Sequence, residues 1–125
     1  MADIQQFERV GDGLLVRAPA KVNLSLLIAG KRPDGYHELE TIMAKIDWCD
    51  ELLIQPTGHT GIELLCQGPE WAPQSKDNLV YRAAETTFRT CGQAANIRLT
   101  LTKNVPAGTG LGSASSDAAA TLLGL

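Results

Sequence analysis

The chain has 125 residues, 44% hydrophobic and 20% charged, the balance of a globular domain with a modest core rather than a disordered chain. Its net charge of −3 and pI near 5.3 argue against a broad nucleic-acid surface, which is usually basic, but leave room for a local basic pocket. No apolar run approaches the roughly 18 residues of a membrane span, and the acidic first residues are no signal peptide.

Cys49, Cys66 and Cys91 are odd in number, widely spaced and without a C-x-x-C pair. Free thiols in a reducing, cytoplasmic compartment are expected. His37 and His59 lie too far apart to suggest a metal held by side chains alone.

In chain order, Leu14–Ala18 and Val22–Ile28 read as strands on either side of Pro19. In the second, Val22, Leu24, Leu26 and Ile28 share one face, and Lys21, Asn23 and Ser25 share the other. Lys31–Gly35 is a turn, with Pro33 fixing one dihedral and Gly35 supplying a permissive one. His37–Asp47 leans towards strand. Glu51–Gln55 and Ile62–Cys66 are strands joined by the polar turn Pro56–Gly61, and a loop covers Gly68–Lys76. Asp77 is the predicted N-cap of a helix running through Thr90. Val80, Ala83, Ala84, Thr87, Phe88 and Cys91 form its buried stripe, and Gly92 ends it. Trp48 and Trp71 are assigned to packing.

Asn96–Thr102 alternates cleanly, with Ile97, Leu99 and Leu101 inward. A doubly wound parallel sheet would bury both faces of such a strand. One polar face fits an α+β fold better, a mostly antiparallel sheet covered on one side by helices. A last helix is predicted after Ser116, ending on Leu122, Leu123 and Leu125. This uncapped apolar stub suggests a sequence that continues in the natural protein.

Between the last strand and that helix lie Pro106, Ala107, Gly108, Thr109, Gly110, Leu111, Gly112, Ser113, Ala114, Ser115, Ser116 and Asp117. Glycine removes the Cβ that would stop a backbone closing around an anion. A helix after the loop directs free N–H groups and its positive dipole end back at it. The segment is therefore a candidate phosphate cradle. It is not a P-loop, because no lysine follows the glycines. It is a poor dinucleotide fingerprint, because Ser113 or Ser115 stands where the third glycine belongs and the preceding strand has a polar face. Asp117 reads either as an acid favoured by a first-turn dipole or as a magnesium bridge.

The pattern Pro-x-x-x-Gly-Leu-Gly-Ser-x-Ser-Ser over Pro106–Ser116 resembles the ATP-binding loop of the GHMP superfamily, small-molecule kinases named for galactose, homoserine, mevalonate and phosphomevalonate. A second cluster, Ala18-Pro-Ala-Lys-Val-Asn-Leu24 followed by Asp34-Gly-Tyr-His-Glu-Leu39, is similar to the start of the 4-diphosphocytidyl-2-C-methyl-D-erythritol kinase family. Asp77–Ala84 and Thr102-Lys103 match as well. The resemblance runs from about Leu14 to Leu125. It implies a ribosomal-protein-type N-terminal domain over residues 1–125, incomplete here, and a ferredoxin-like C-terminal domain beyond it.

The resemblance also implies roles. Lys21 is the catalytic lysine beside the reacting hydroxyl, and Asn23, Tyr36 and His37 bind the substrate, with Tyr36 stacking on the cytosine. Asn78 and Lys103 lie near the adenine, and residues 106–116 hold ATP, which arrives with Mg2+. Partners would be ATP and a cytidine-diphosphate-linked polyol, with no nucleic acid and no membrane. Lys31 and Arg32 read as a solvated turn. The family's catalytic aspartate belongs to a Gly-Ala-Asp-Val-Pro segment that these 125 residues lack, so this chain alone is expected to be nearly inactive. Alternatives are another GHMP kinase, a non-catalytic ribosomal-type module binding RNA or protein, or a poorly folding remnant.

Overall fold

The structure is a computed structural model that describes residues 5–31, 37–108 and 110–125, with residues 23–31 and 37–43 described through their backbone. Five strands form one sheet in the order β1-β2-β3-β5-β4. They are β1 (Phe7–Val10), β2 (Gly13–Lys31), β3 (His37–Pro56), β4 (Gly61–Gln67) and β5 (Asn96–Thr102). Helix α1 (Leu79–Cys91) connects β4 to β5, and α2 (Ser113–Gly124) follows β5. Three of the four pairings are antiparallel. The exception is β4 with β5, which run parallel because α1 crosses between them.

The core follows from period-two alternation. Val16 and Ala18 of β2, Leu52 and Ile54 of β3, and Ile97, Leu99 and Leu101 of β5 all face one side of the sheet. Val80 and Ala84 of α1 and Ala120 of α2 cover them. Burying each of the larger side chains contributes roughly 1.5–3 kcal/mol. This is the α+β arrangement read from β5, with both helices packed on one face.

The structure corrects several boundaries. β2 runs through Pro19 without a break. β1 pairs with β2 only over Gly13–Val16, so at Pro19 the strand has a neighbour on one side, and a strand edge tolerates a residue with no N–H to give. The β2–β3 ladder absorbs the proline by shifting register between Pro19 and Lys21. β3 unites the segments predicted at 37–47 and 51–55. β1, unpredicted, is exposed along its length.

The N-cap of α1 is Asn78, not Asp77: its Oδ1 accepts from the Val80 N–H at 2.9 Å, while Asp77 closes a 3-10 turn. Cys91 is exposed and drops out of the buried stripe, whose buried members are Val80 and Ala84. Helix α2 starts at Ser113, earlier than expected, because Gly112 takes the left-handed conformation and its carbonyl accepts the first helical bond from Ser116. Residues 32–35 of the predicted turn lie outside the described residues, and so do the side chains of Leu24, Leu26 and Ile28. Cys49, Cys66 and Cys91 are free thiols. Among the described residues no helix is long and apolar enough to cross a membrane.

Candidate functional site

The glycine loop lies across β2 and is tied to it at three points. The Lys21 backbone N–H donates to the Leu111 carbonyl at 3.0 Å, and its ammonium donates to the Gly110 carbonyl at 2.8 Å. The Ser116 hydroxyl donates to the Pro19 carbonyl at 2.8 Å. Gly108, Gly110 and Gly112 all have positive φ. At Gly112 the requirement is double, since φ is 70° and a Cβ would sit 3.0 Å from Lys21 Cε. The chain can turn into α2 over the lysine stem only without a side chain there.

Beside the loop opens a cleft of about 700 Å³ lined by Pro19, Lys21, Lys45, the three glycines and residues 113–116. The first N–H groups of α2, at Ser113, Ala114 and Ser115, precede its first internal bond and have no helical acceptor. With the helix dipole and two lysines, they make this end of the molecule attractive to an anion.

The three serines of the loop have different surroundings. Ser113 is buried; its hydroxyl accepts from the Lys103 ammonium at 3.0 Å and donates to the Pro106 carbonyl at 3.4 Å. Ser116 is spent on Pro19. Ser115 alone of the three has an exposed hydroxyl. What Ser113 offers a ligand is therefore its backbone N–H.

Behind the loop lies a buried charge cluster. The Lys103 ammonium donates to Asp50 Oδ2 at 2.7 Å, to Asp117 Oδ2 at 2.9 Å and to Ser113 Oγ, which uses all three of its protons. Lys103, Asp50 and Asp117 are at most 3% exposed. Asp50 Oδ1 also accepts from the backbone N–H groups of Asn104 and Val105, at 2.7 and 2.9 Å. The cluster thus fixes both ends of the loop, its entry through Asp50 and its exit through Ser113 and Asp117.

Burial works against the charge of Lys103, but its bonds to Asp50 and Asp117 outweigh this and hold its pKa above the ordinary value. Burial, reinforced by neighbouring Asp50 and opposed by Lys103, pushes Asp117 up to about 8. Two carboxylates face one ammonium, and Asp117 Oδ1 is buried without a hydrogen-bond partner among the described residues. A proton on Asp117 relieves both problems. Asp117 is thus neither a solvated first-turn acid nor free to bridge magnesium.

Asn78 and Lys103 meet at a second, smaller cavity of about 70 Å³, bordered by Trp71, Pro73, Leu79, Ala107 and Ala114. Asn78 is buried; besides capping α1, its Nδ2 donates to the Pro73 carbonyl at 2.9 Å. With its ammonium engaged, Lys103 presents this cavity only its stem and backbone. Trp71 is 75% exposed and Trp48 43%, so neither serves the packing assigned to it.

Lys21 and the described residues of 106–116 are therefore brought together, and Asn78 and Lys103 adjoin them on the other side of Ala114, which lines both spaces. Thr109 and Tyr36 lie outside the described residues. Asn23 and His37 are placed by backbone alone, paired with Met43 and Lys31. Sequence reasoning missed Asp50 and Lys45. Parity was the available signal: Asp50 stands in step with inward Leu52 and Ile54, and Lys103 in step with Leu99 and Leu101. Among the described residues no group of three or more His, Cys, Asp or Glu is placed to hold a metal ion.

The family description "GHMP kinases N terminal domain" matches residues 78–125. A 4-diphosphocytidyl-2-C-methyl-D-erythritol kinase of Geobacter sp. strain M21 is 45% identical over 112 residues, covering 90% of this chain and 40% of that protein. One of Chloroherpeton thalassium is 48% identical over 107 residues, covering 86% and 36%. A crystal structure of 4-(cytidine 5'-diphospho)-2C-methyl-D-erythritol kinase superposes with a TM-score of 0.76 at 41% identity, over 87% of this chain and 38% of that one. A homoserine kinase from Cytophaga hutchinsonii shares the fold, with a TM-score of 0.67 at 23% identity, over 94% of this chain and 36% of that one. The chain thus spans about 40% of the length of the curated relatives it matches. With these likenesses added to the loop and its lysine, residues 78–125 match the N-terminal domain of the GHMP kinases, and the chain over most of its length is similar to 4-diphosphocytidyl-2-C-methyl-D-erythritol kinases.

Proposed function

We propose that the intact protein is a small-molecule kinase that transfers the γ-phosphoryl group of ATP to the 2-hydroxyl of 4-(cytidine diphospho)-2-C-methyl-D-erythritol, a step in non-mevalonate isoprenoid precursor synthesis. The observation that carries this reading is the open N-terminus of α2 behind positive-φ glycines, facing a cleft that Lys21 lines. Its free N–H groups suit phosphate oxygens, and Lys21 suits charge developing on the transferred group.

In the reaction the substrate oxygen bonds to the γ-phosphorus while the bond from that phosphorus to ADP breaks. The hydroxyl proton passes to a base. That base is the aspartate of the family's Gly-Ala-Asp-Val-Pro segment, outside these 125 residues. Ser115, exposed at the helix start, is the residue whose hydroxyl would approach a magnesium ion carried by the nucleotide, which would supply neutralisation of phosphate charge. Asn78 and the Lys103 backbone border the adenine, while Asn23, Tyr36 and His37 take the cytidine substrate.

The test offers the intact protein ATP with the cytidine substrate, homoserine, mevalonate or galactose. Phosphorylation of the cytidine compound alone supports the reading, with Tyr36→Ala raising KM for that substrate far more than for ATP. Turnover of one of the others instead would assign the protein to a different branch of the superfamily.

A further inference from the structure

Lys21 and Lys45 are direct cross-strand partners in the β2–β3 ladder. Residues so paired project from the same face with Cβ atoms about 4.5–5.5 Å apart, and like charges there repel. Neither lysine has a carboxylate within ion-pair distance among the described residues; Asp47, two residues along from Lys45, makes no pair with it. Both line the cleft that holds Gly108, Gly110, Gly112 and the start of α2. Lys21 is held down on the Gly110 carbonyl, whereas Lys45 is exposed and its ammonium has no ion pair among the described residues. An antiparallel pair that sets two cations opposite each other beside a loop of free N–H groups is unfavourable when empty. It becomes favourable when a polyanion lies between them.

We infer that Lys45 is a second cationic residue of the phosphate site, binding the polyphosphate of the nucleotide opposite Lys21. This rests on the reading of the cleft as the ATP phosphate site. A short, rigid contact is not required: Lys is a point charge on a flexible stem, and its contribution is to affinity for charge rather than to geometry. The ligand chemistry is an extended phosphate chain, which the diphosphate of the cytidine substrate would share, so the two must be separated by experiment.

The test compares wild type, Lys45→Met and Lys45→Arg of the intact protein by calorimetric titration with ATP and with adenosine, beside KM for the cytidine substrate. The inference predicts that Lys45→Met weakens ATP roughly tenfold, leaves adenosine unchanged and flattens the salt dependence of ATP binding. Lys45→Arg retains most of the affinity. Because like-charge repulsion is relieved, unliganded Lys45→Met melts at or slightly above wild type, a result opposite to that of a structural role. ATP affinity equal to wild type in Lys45→Met would make Lys45 an ordinary surface lysine and overturn the inference. A change confined to KM for the cytidine substrate would move Lys45 to that diphosphate and overturn the nucleotide assignment. Parallel loss of ATP, adenosine and melting temperature would make it a structural residue. Wild type that binds no ATP at all would refute the reading of the cleft itself.

Discussion

Replacing Lys103 with Met removes the ammonium from the buried cluster while keeping an apolar stem of similar length. The wild-type ammonium makes three hydrogen bonds of 2.7–3.0 Å and is 2% exposed. Without it, Asp50 and Asp117 remain buried with no positive partner, and Ser113 loses a donor. Removing one partner of a buried ion pair costs about 3–5 kcal/mol. That is a large part of the ~5–15 kcal/mol that holds a domain together. With a urea slope of roughly 1–3 kcal/mol/M, the midpoint should fall by about 1–5 M at pH 7.5. The assay is urea unfolding followed by far-UV circular dichroism. A midpoint within ~0.5 M of wild type at pH 7.5 would refute the reasoning that this cluster clamps the loop to the sheet.

Asp117 gives a pH prediction. Its folded pKa of about 8 lies above the ordinary 3.8, so the folded state binds a proton more tightly than the unfolded chain. Stability from this group is fully present below about pH 4 and is lost as pH rises towards 8. The groups facing it are Lys103 after β5, Asp50 of β3 and Cys66 of β4, whose thiol burial and Asp117 raise. Asp117→Asn should flatten the fall in urea midpoint between about pH 4 and pH 8, and an unchanged slope would assign that fall elsewhere. Asn78→Ala should cost about 0.5–2 kcal/mol as a lost N-cap, against under ~0.5 kcal/mol for Asp77→Ala, measured by thermal melting. Gly112→Ala and Gly11→Ala both place a Cβ at positive φ, costing about 1–2 kcal/mol each. Only Gly112→Ala presses on Lys21, so only it should weaken ATP binding by calorimetry.

The sheet was legible where one face of a strand is polar. Ile97, Leu99 and Leu101 alternate with Arg98 and Thr100, and that pattern alone argued for helices on one side. Pro19 misled because its effect depends on whether a second strand lies beside it, and β1 stops short of it. Asn78 and Asp77 are both good caps by residue type; which one caps was decided by the 3-10 turn over Ser75–Asp77, a feature without a clear pattern in the sequence. The loop itself was visible in its glycines and serines, but the division of its serines was not. Ser113 faces inward because Lys103 waits there, and Lys103 is buried because Asp50, 53 residues away in the chain, receives it. Lys45 was invisible for the same reason: its meaning comes from the register that sets it opposite Lys21.

The central claim is that residues 108–116 and Lys21 hold the phosphates of ATP, and amide hydrogen exchange of the intact protein with and without Mg-ATP tests it most directly. Peptides covering 106–117 should gain protection when ATP is added, and adenosine should protect them far less, since it lacks the anion that the free N–H groups of α2 would bind. ATP bound with exchange at 106–117 unchanged, and protection gained elsewhere, would contradict the account.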